Sequence, residues 1–355
     1  MSLDKLRENI DKIDAEIVRP IAERLRVAEA IGKEKESKGL AITDMAREKV
    51  VLERVRALAR EKGVSEEGIG ELWQEIIRLT KSAEGVSVAY QGEPGAYSEE
   101  AAFRFFGAGI RPRPCESLDD VFRVVETGEA QSGVIPIENS LEGSISRSYD
   151  LLLDSSLKVA GEIELRISHC LIASPESSLD KIRRVYSHPQ ALGQCRSYLR
   201  HLGAELVATY DTAGSVKMIK EMGTLDGAAI ASARAAQLYG MKILAREIED
   251  NPFNFTRFFV LSRIDAAPTG TDRTSVVFAV KHRPGALYDT LYELARRNIN
   301  LTKIESRPTR KKAWEYNFYL DFEGHREDGI CREALEALEE RALFIKVLGS
   351  YPRAR

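Results

Sequence analysis

Glu249-Asp250-Asn251-Pro252-Phe253-Asn254-Phe255-Thr256-Arg257-Phe258-Phe259-Val260-Leu261 leads three polar residues into an aromatic-rich loop and then into an apolar strand, Phe258–Leu261. This reading puts Thr256 and Arg257 at a loop–strand junction, with the flanking aromatics as anchors. A hydroxyl donor beside a carboxylate-binding cation suits a small acidic substrate that must lose an oxygen. Taken as structure alone, the same stretch is an aromatic plug between two lobes with an incidental arginine.

The segment that this stretch closes, residues 86–265, has strand–loop–helix grammar. Val86–Tyr90 reads as a strand, and the loop Gln91-Gly92-Glu93-Pro94-Gly95-Ala96-Tyr97-Ser98 runs into a helix capped by Ser98. The loop is neither a Walker motif nor G-x-G-x-x-G, so no nucleotide or nicotinamide cofactor is expected. Ser117 caps another helix. The apolar strand Val134-Ile135-Pro136-Ile137 turns polar at Glu138-Asn139-Ser140, and the carboxyl end of a buried strand is where open α/β sheets place ligands. A second lobe repeats the pattern through His169–Ala173, Val185-Tyr186-Ser187-His188-Pro189-Gln190, Gln194-Cys195, Asp211-Thr212-Ala213 and Ala228–Ala231. The expectation is two α/β lobes with a cleft between them. His188 before a proline reads as a loop residue, and Cys195 as core.

Residues 1–85 are different. Leu3, Leu6, Ile10, Ile13 and Ile17 form the stripe of a long amphipathic helix, interrupted by Pro20, where a local kink is expected. A second helix starts near Thr43 or Asp44 and carries Val51, Val55 and Leu58. A third starts after Ser65. A first helix of this length cannot fold on itself, which implies an intertwined dimer. Polar residues recur where the stripe calls for apolar ones: Arg24, Lys35, Asp44, Glu48, Thr80 and Glu84. Together they describe a polar pocket in a helical bundle, able to hold a dianion.

Beyond the linker Ala266-Ala267-Pro268-Thr269-Gly270, residues 272–355 read as βαββαβ, a ferredoxin-like order around the charged tip Arg310-Lys311-Lys312. No acid–base set lies there, so binding is expected rather than catalysis.

Composition bounds the rest. The 355 residues are 30% charged and 43% hydrophobic with a net charge of −3, which offers no general attraction to nucleic acid or to an anionic membrane. No apolar stretch reaches a membrane span, and no leader precedes the first helix, so a cytoplasmic protein is expected. The four cysteines and five histidines are scattered, predicting neither disulfide framework nor metal site.

Three resemblances sharpen these expectations. Gly92-x-x-Gly95-x-Tyr97-Ser98, Pro136-Ile137-Glu138-Asn139-Ser140, Ser187-His188-Pro189-Gln190-x-x-x-Gln194-Cys195 and Thr256-Arg257-Phe258 resemble the motifs of prephenate dehydratases. The resemblance implies loss of carbon dioxide and water from prephenate. Thr256 contacts the departing hydroxyl, and Glu138, if buried and protonated, is a proton source. Asn139, Ser187, Gln194 and Thr212 orient the substrate, and Arg257 either pairs with a carboxylate or holds the loop. Residues 3–84 resemble the helical chorismate mutases through Leu6-Arg7-Glu8, Ala22-Glu23-Arg24, Gly32-Lys33-Glu34-Lys35 and Asp44-x-x-Arg47-Glu48. This implies that Arg7 of a partner chain, Arg24 and Arg47 grip two carboxylates. Lys35 donates to the ether oxygen, Glu48 orients the hydroxyl and Asp44 shares the wall. Thr80 stands where some relatives carry serine, and Glu84 where some carry glutamine. The last segment resembles an ACT domain of the phenylalanine-sensing type, with Arg283-Pro284-Gly285-Ala286-Leu287 and Glu305-Ser306-Arg307-Pro308 as its ligand motifs.

The expectation is therefore a cofactor-free, metal-free bifunctional enzyme, a homodimer or higher even oligomer, acting on chorismate and prephenate under phenylalanine control. Two rivals remain at this point: a dehydratase whose helical part only dimerises or regulates, and a two-lobed sensor without turnover.

Overall fold

The computed structural model describes residues 3–38, 45–309 and 315–354, with side chains at all of these except 33, 35–38, 45, 46, 78 and 81–84. Asp44 and the charged tip 310–312 lie outside the described residues, and the side chains of Lys35 and Glu84 outside the described side chains. The chain packs as two units, Met1–Ser87 with Phe103–Arg111, and Val88–Ala102 with Pro112–Arg355.

In the first unit the three-and-four spacing produces α1 (Leu3–Lys38), α2 (Met45–Glu61) and α3 (Glu66–Glu84). α1 is one helix of 36 residues that continues through Pro20; at about 1.5 Å per residue it is roughly 54 Å long. Ser65 opens α3 by accepting the Gly68 N–H at 3.1 Å. Ala28, Val55, Ala59, Ile76 and Ile77 are buried, whereas Leu3, Leu6, Ile10, Ile13 and Ile17 are all exposed. The apolar stripe of α1 therefore lacks a core within one chain.

The second unit contains three sheets. Its first run is β1 (Ser87–Gln91), α4 (Tyr97–Phe106), β2 (Arg111–Cys115), α5 (Leu118–Glu126), β3 (Ser132–Asn139), β4 (Gly143–Ser144), α6 (Ser146–Asp154) and β5 (Lys158–Arg166). Then come β6 (Cys170–Ala173), β7 (Arg184–Ser187), α7 (Pro189–Gln194), α8 (Arg196–Leu202), β8 (Glu205–Ala208), α9 (Thr212–Met222), β9 (Gly227–Ala231), α10 (Ala233–Tyr239) and β10 (Lys242–Ala245). The chain returns as β11 (Phe255–Ser262). The first sheet has the order β2-β1-β3-β11-β5, with β4 on β3, and the second β10-β6-β9-β7-β8. Two lobes thus form as expected, and the opening stretch is the strap that carries the chain from one to the other.

One local reading changes. α4 starts at Tyr97, so Ser98 lies inside its first turn; the Glu99 carboxylate instead accepts the Gly95 N–H at 2.9 Å. Ser117 does cap α5, accepting from Asp120 N–H at 3.1 Å. The four cysteines are free and buried.

The third sheet is built from β12 (Asp272–Val280), α11 (Ala286–Ala295), β13 (Leu301–Pro308), β14 (Tyr316–Glu323), α12 (Gly329–Arg341) and β15 (Ala342–Pro352), ordered β13-β14-β12-β15. One face packs under its helices through Val276, Phe278, Leu320, Phe322, Leu294 and Leu338. The other face carries neither of the module's own helices and packs on the first lobe, α6 included. Val277, Tyr319, Leu348 and Tyr351 enter the same core as Ala89, Ile135, Phe259 and Leu261 of the first sheet. The C-terminal module is thus fused to the first lobe through a common apolar core.

Candidate active sites

β11 begins at Phe255, earlier than the sequence reading, so Thr256 and Arg257 are strand residues. Successive side chains of a strand point to opposite faces. Thr256 pairs across to Asn139, and Arg257 to Glu138. Each pair therefore shares a face, and the two pairs face opposite ways.

The Thr256 face carries a chain of side-chain hydrogen bonds whose direction is fixed from the backbone. Asn139 Oδ1 accepts the backbone N–H groups of Leu141 and Glu142 at 3.0 and 3.1 Å. Its amide nitrogen is thereby aimed the other way, and lies 3.0 Å from Thr256 Oγ1, 2.8 Å from Asn254 Oδ1 and 3.1 Å from the Phe255 carbonyl. Asn254 then donates from Nδ2 to Gln194 Oε1 at 2.9 Å. His169 Nε2 lies 3.0 Å from the same oxygen and must be its second donor. Nδ1 of that ring meets Tyr97 Oη at 2.9 Å. Burial pushes His169 below the usual imidazole range, against the Gln194 hydrogen bond and the Glu249 charge.

Two donors are left over at the end of this chain. Thr256 Oγ1 accepts from Asn139, and among the described residues it donates to nothing, so its hydrogen remains for a ligand. Gln194 Nε2 is buried with no partner, although buried amide groups are almost always hydrogen-bonded. Asn139, Gln194 and Thr256, singled out from sequence, are brought together here. Ser187 and Thr212 are not part of the chain: the Ser187 hydroxyl donates to the Ile230 carbonyl at 2.7 Å, and Thr212 is the first residue of α9, behind the Asp211 cap. His169, Asn254 and Tyr97 were not assigned roles from sequence, although Asn254 stands inside the opening stretch.

Phe258 and Phe259 anchor the strand end of that stretch, both being buried, whereas its loop is held by polar groups. Phe253 is 74% exposed. Glu249 accepts the His169 N–H at 2.9 Å and pairs with Arg166 at 3.1 Å, and Asp250 accepts from Ser197 N–H at 3.0 Å. The lobes also meet where Ser232 donates to the Gly95 carbonyl at 2.8 Å. Gly95 has φ +93°, and a Cβ there would lie 2.9 Å from the Ala235 Cα, so only glycine allows this approach. Glu93 binds Tyr210 and Lys217 of the second lobe, each at 3.1 Å.

The opposite face corrects two assignments. Arg257, read as either a carboxylate partner or a holder of the loop, is buried against the third sheet: its guanidinium bonds Asp321 at 2.5 Å, lies 3.7 Å from Glu162, and stacks over Phe259 at 5.0 Å. Burial works against its charge, but Asp321, Tyr351 and Glu162 more than restore it, so the guanidinium keeps its proton. Glu138, read as a buried acid, is half-buried and ion-paired with Lys303 of β13 at 2.8 Å. Strand alternation turns both away from the Thr256 hydroxyl.

Alternation also divides the second effector motif. Glu305 and Arg307 point toward the first lobe, where Glu305 bonds Ser144, and Arg307 bonds Ser146 and Asp150 at 2.8 and 3.0 Å. Their assignment as effector ligands is not supported by these contacts. Ser306 lies across from Phe318, on the other face. Phe318 lines a pocket of about 240 Å³ with Ala286, Leu287, Val280 and Tyr316. Gly285, at φ +81°, precedes α11 beside it with no side-chain cap.

In the helical unit Arg24 hydrogen-bonds Thr80 across α1 and α3, and reaches the Ile76 carbonyl at 3.4 Å. This is the predicted polar intrusion. Glu48 is half-buried and Arg47 exposed in the first turn of α2. Arg7 is exposed, with Asp4 at 4.0 Å. It lies 17 positions before Arg24 on the same helix, roughly 25 Å along it. Burial pushes the Cys195 thiol upward, which disfavours its reactive thiolate, and His188 caps α7 by accepting from Gln190 N–H at 3.3 Å. Among the described residues no His, Cys, Asp and Glu cluster could hold a metal, and no helix is long and apolar enough to cross a membrane.

Residues 6–85 match chorismate mutase type II, 88–266 prephenate dehydratase and 274–340 the ACT domain. The bifunctional chorismate mutase/prephenate dehydratase of Aquifex aeolicus is 43% identical, the alignment covering 99% of this chain and 98% of that one. The protein of the same name from Neisseria gonorrhoeae is 40% identical, over 98% and 96%. Among solved structures, the prephenate dehydratase of Arthrobacter aurescens in complex with L-Phe is 33% identical with a TM-score of 0.70, covering 76% of this chain and 90% of that one. With a mutase, a dehydratase and an ACT domain in the order of these relatives, the chain belongs to the bifunctional chorismate mutase/prephenate dehydratase family.

Proposed function

We propose that residues 1–85 rearrange chorismate to prephenate, that residues 86–265 convert prephenate to phenylpyruvate, and that residues 272–355 bind phenylalanine and inhibit the second step. The observation that carries the dehydratase assignment is the pair of unused donors, Thr256 Oγ1–H and Gln194 Nε2, at the end of a fully directed hydrogen-bond chain. In the reaction the ring carboxylate leaves as carbon dioxide and its bonding electrons aromatise the ring. They expel the ring hydroxyl, which takes up a proton as water. Thr256 donates a hydrogen bond to that departing oxygen; its own acidity is far too low for it to be the acid. Asn139 orients Thr256, and Gln194 binds a substrate oxygen, with Ser187 at the carboxyl end of β7 and Thr212 at the start of α9. Preorganised donors aimed at developing negative charge are the largest single source of such catalysis.

For the mutase the chemistry is unimolecular and needs a compact conformer with donors at the ether oxygen. Arg24, Arg47 and the partner's copy of Arg7 are assigned to the carboxylates, Lys35 and Glu84 to the ether oxygen, and Glu48, Asp44 and Thr80 to the remaining wall. Two features support a dimer: the exposed apolar stripe of α1, and the distance along it from Arg7 to Arg24.

The pocket beside Gly285, Ala286 and Leu287 supports the effector reading, with apolar walls for a phenyl ring and free helix-terminal N–H groups for a carboxylate. Ser306 and Pro308 lie on that face. Leu287→Asp tests it: basal dehydratase activity is retained and inhibition by phenylalanine is lost. Unchanged inhibition places the effector elsewhere.

A further inference from the structure

We infer that Glu138 and Arg257 are positioning residues for the dehydratase, and that the C-terminal sheet sets the catalytic geometry through them. They sit on β3 and β11, each directly adjacent to a residue of the Asn139–Thr256 pair, and each is gripped from behind by the third sheet. Lys303 Nζ lies 2.8 Å from Glu138, 3.0 Å from Ser144 Oγ and 3.4 Å from Glu305. Asp321 binds Arg257 and also accepts from the Ser275 hydroxyl at 2.6 Å. Glu162 on β5, beside Arg257, accepts from Arg273 of β12 at 2.6 and 2.8 Å.

Two strands are thus tied to a foreign sheet at the register level where they carry Asn139 and Thr256 on their opposite face. An apolar filling would hold the sheets together at least as well, because burying charges costs about as much as their attraction returns. What directed ion pairs add is alignment. A slip that leaves both domains folded still displaces the Thr256 hydroxyl, and a misplacement of about 1 Å costs roughly 100-fold in rate.

The reading that Glu138 is instead an acid acting in the cleft makes a different prediction, and a double-mutant cycle on the full-length enzyme separates the two. Glu138→Gln and Lys303→Met are made singly and together, with prephenate kcat and KM, chorismate consumption and thermal stability measured for each. Each single change lowers dehydratase kcat by ~10-fold or more, with KM and mutase activity little changed. The double variant is no slower than the worse single, because both remove one interaction. Lys303→Arg, which keeps the pair, recovers most of the lost kcat. A double variant slowed by the product of the two single effects overturns the inference, since Glu138 then acts independently of Lys303. So does Lys303→Met at wild-type kcat, or Lys303→Arg no better than Lys303→Met.

Discussion

Replacing Thr256 by valine keeps the shape of the side chain and removes one oxygen. In the folded protein the loss is small. Asn139 Nδ2 still has the Asn254 oxygen at 2.8 Å and the Phe255 carbonyl at 3.1 Å, so no buried donor is stranded and stability falls by about 1 kcal/mol. The expected catalytic loss is larger, because the hydrogen that Thr256 does not donate within the protein is the one proposed to meet the departing hydroxyl. Removing a single preorganised donor costs about 2.7–4 kcal/mol, or 10²–10³ in kcat. Thr256→Val should therefore lose phenylpyruvate formation by that factor while the same preparation consumes chorismate normally, and Thr256→Ser should retain most activity. Phenylpyruvate formation and chorismate disappearance, followed side by side, provide the assay. A valine variant within threefold of wild type would refute the assignment.

Arg24→Ala should do the reverse, losing the mutase by at least ~10²-fold because the half-buried cation assigned to the substrate carboxylate is gone, with prephenate turnover retained; parallel loss of both rates would argue against separate sites. A chain ending at Ala266 should aggregate or melt far below the full-length protein, since it bares Ile135, Phe259 and Leu261 where Tyr319, Leu348 and Tyr351 now cover them; a truncation of unchanged Tm would show the shared core to be dispensable. Because His169 is held below its ordinary value of 6.5, its contribution to stability is full above that pH and is lost as pH falls through the lowered folded value. His169→Gln should consequently lose less stability than wild type between pH 7 and pH 5 in denaturant titrations, and equal losses would count against a buried neutral imidazole.

The elements were legible where periodicity is strong. The stripe of α1, the strand before Glu138-Asn139 and the βαββαβ order of residues 272–355 all follow from spacing. The site was legible by composition but not by direction. Starting the strand at Phe258 left Thr256 and Arg257 side by side on a loop, and the same error left Glu138 and Asn139 as joint cleft residues. Three residues more of strand put alternate members on opposite faces. Nothing local could have revealed that Lys303 and Asp321, 165 and 64 positions from their partners, would face Glu138 and Arg257. Asn254 was visible in the opening stretch, but its value lies in relaying amide orientation from Asn139 to Gln194, which only three-dimensional contact defines.

The place of β11 in its sheet has a consequence for synthesis. β3 and β5 are never neighbours; β11 lies between them, and its last residue is Ser262. On the ribosome, the first sheet waits open at its centre while the chain from residue 167 onward is made, roughly 5–20 s at 5–20 residues per second. The second sheet suffers no such delay, because all its strands fall between Cys170 and Ala245. The lobe inserted in the middle of the sequence is thus the first of the two able to complete its sheet, and the strand that carries Thr256 is the last piece of its own.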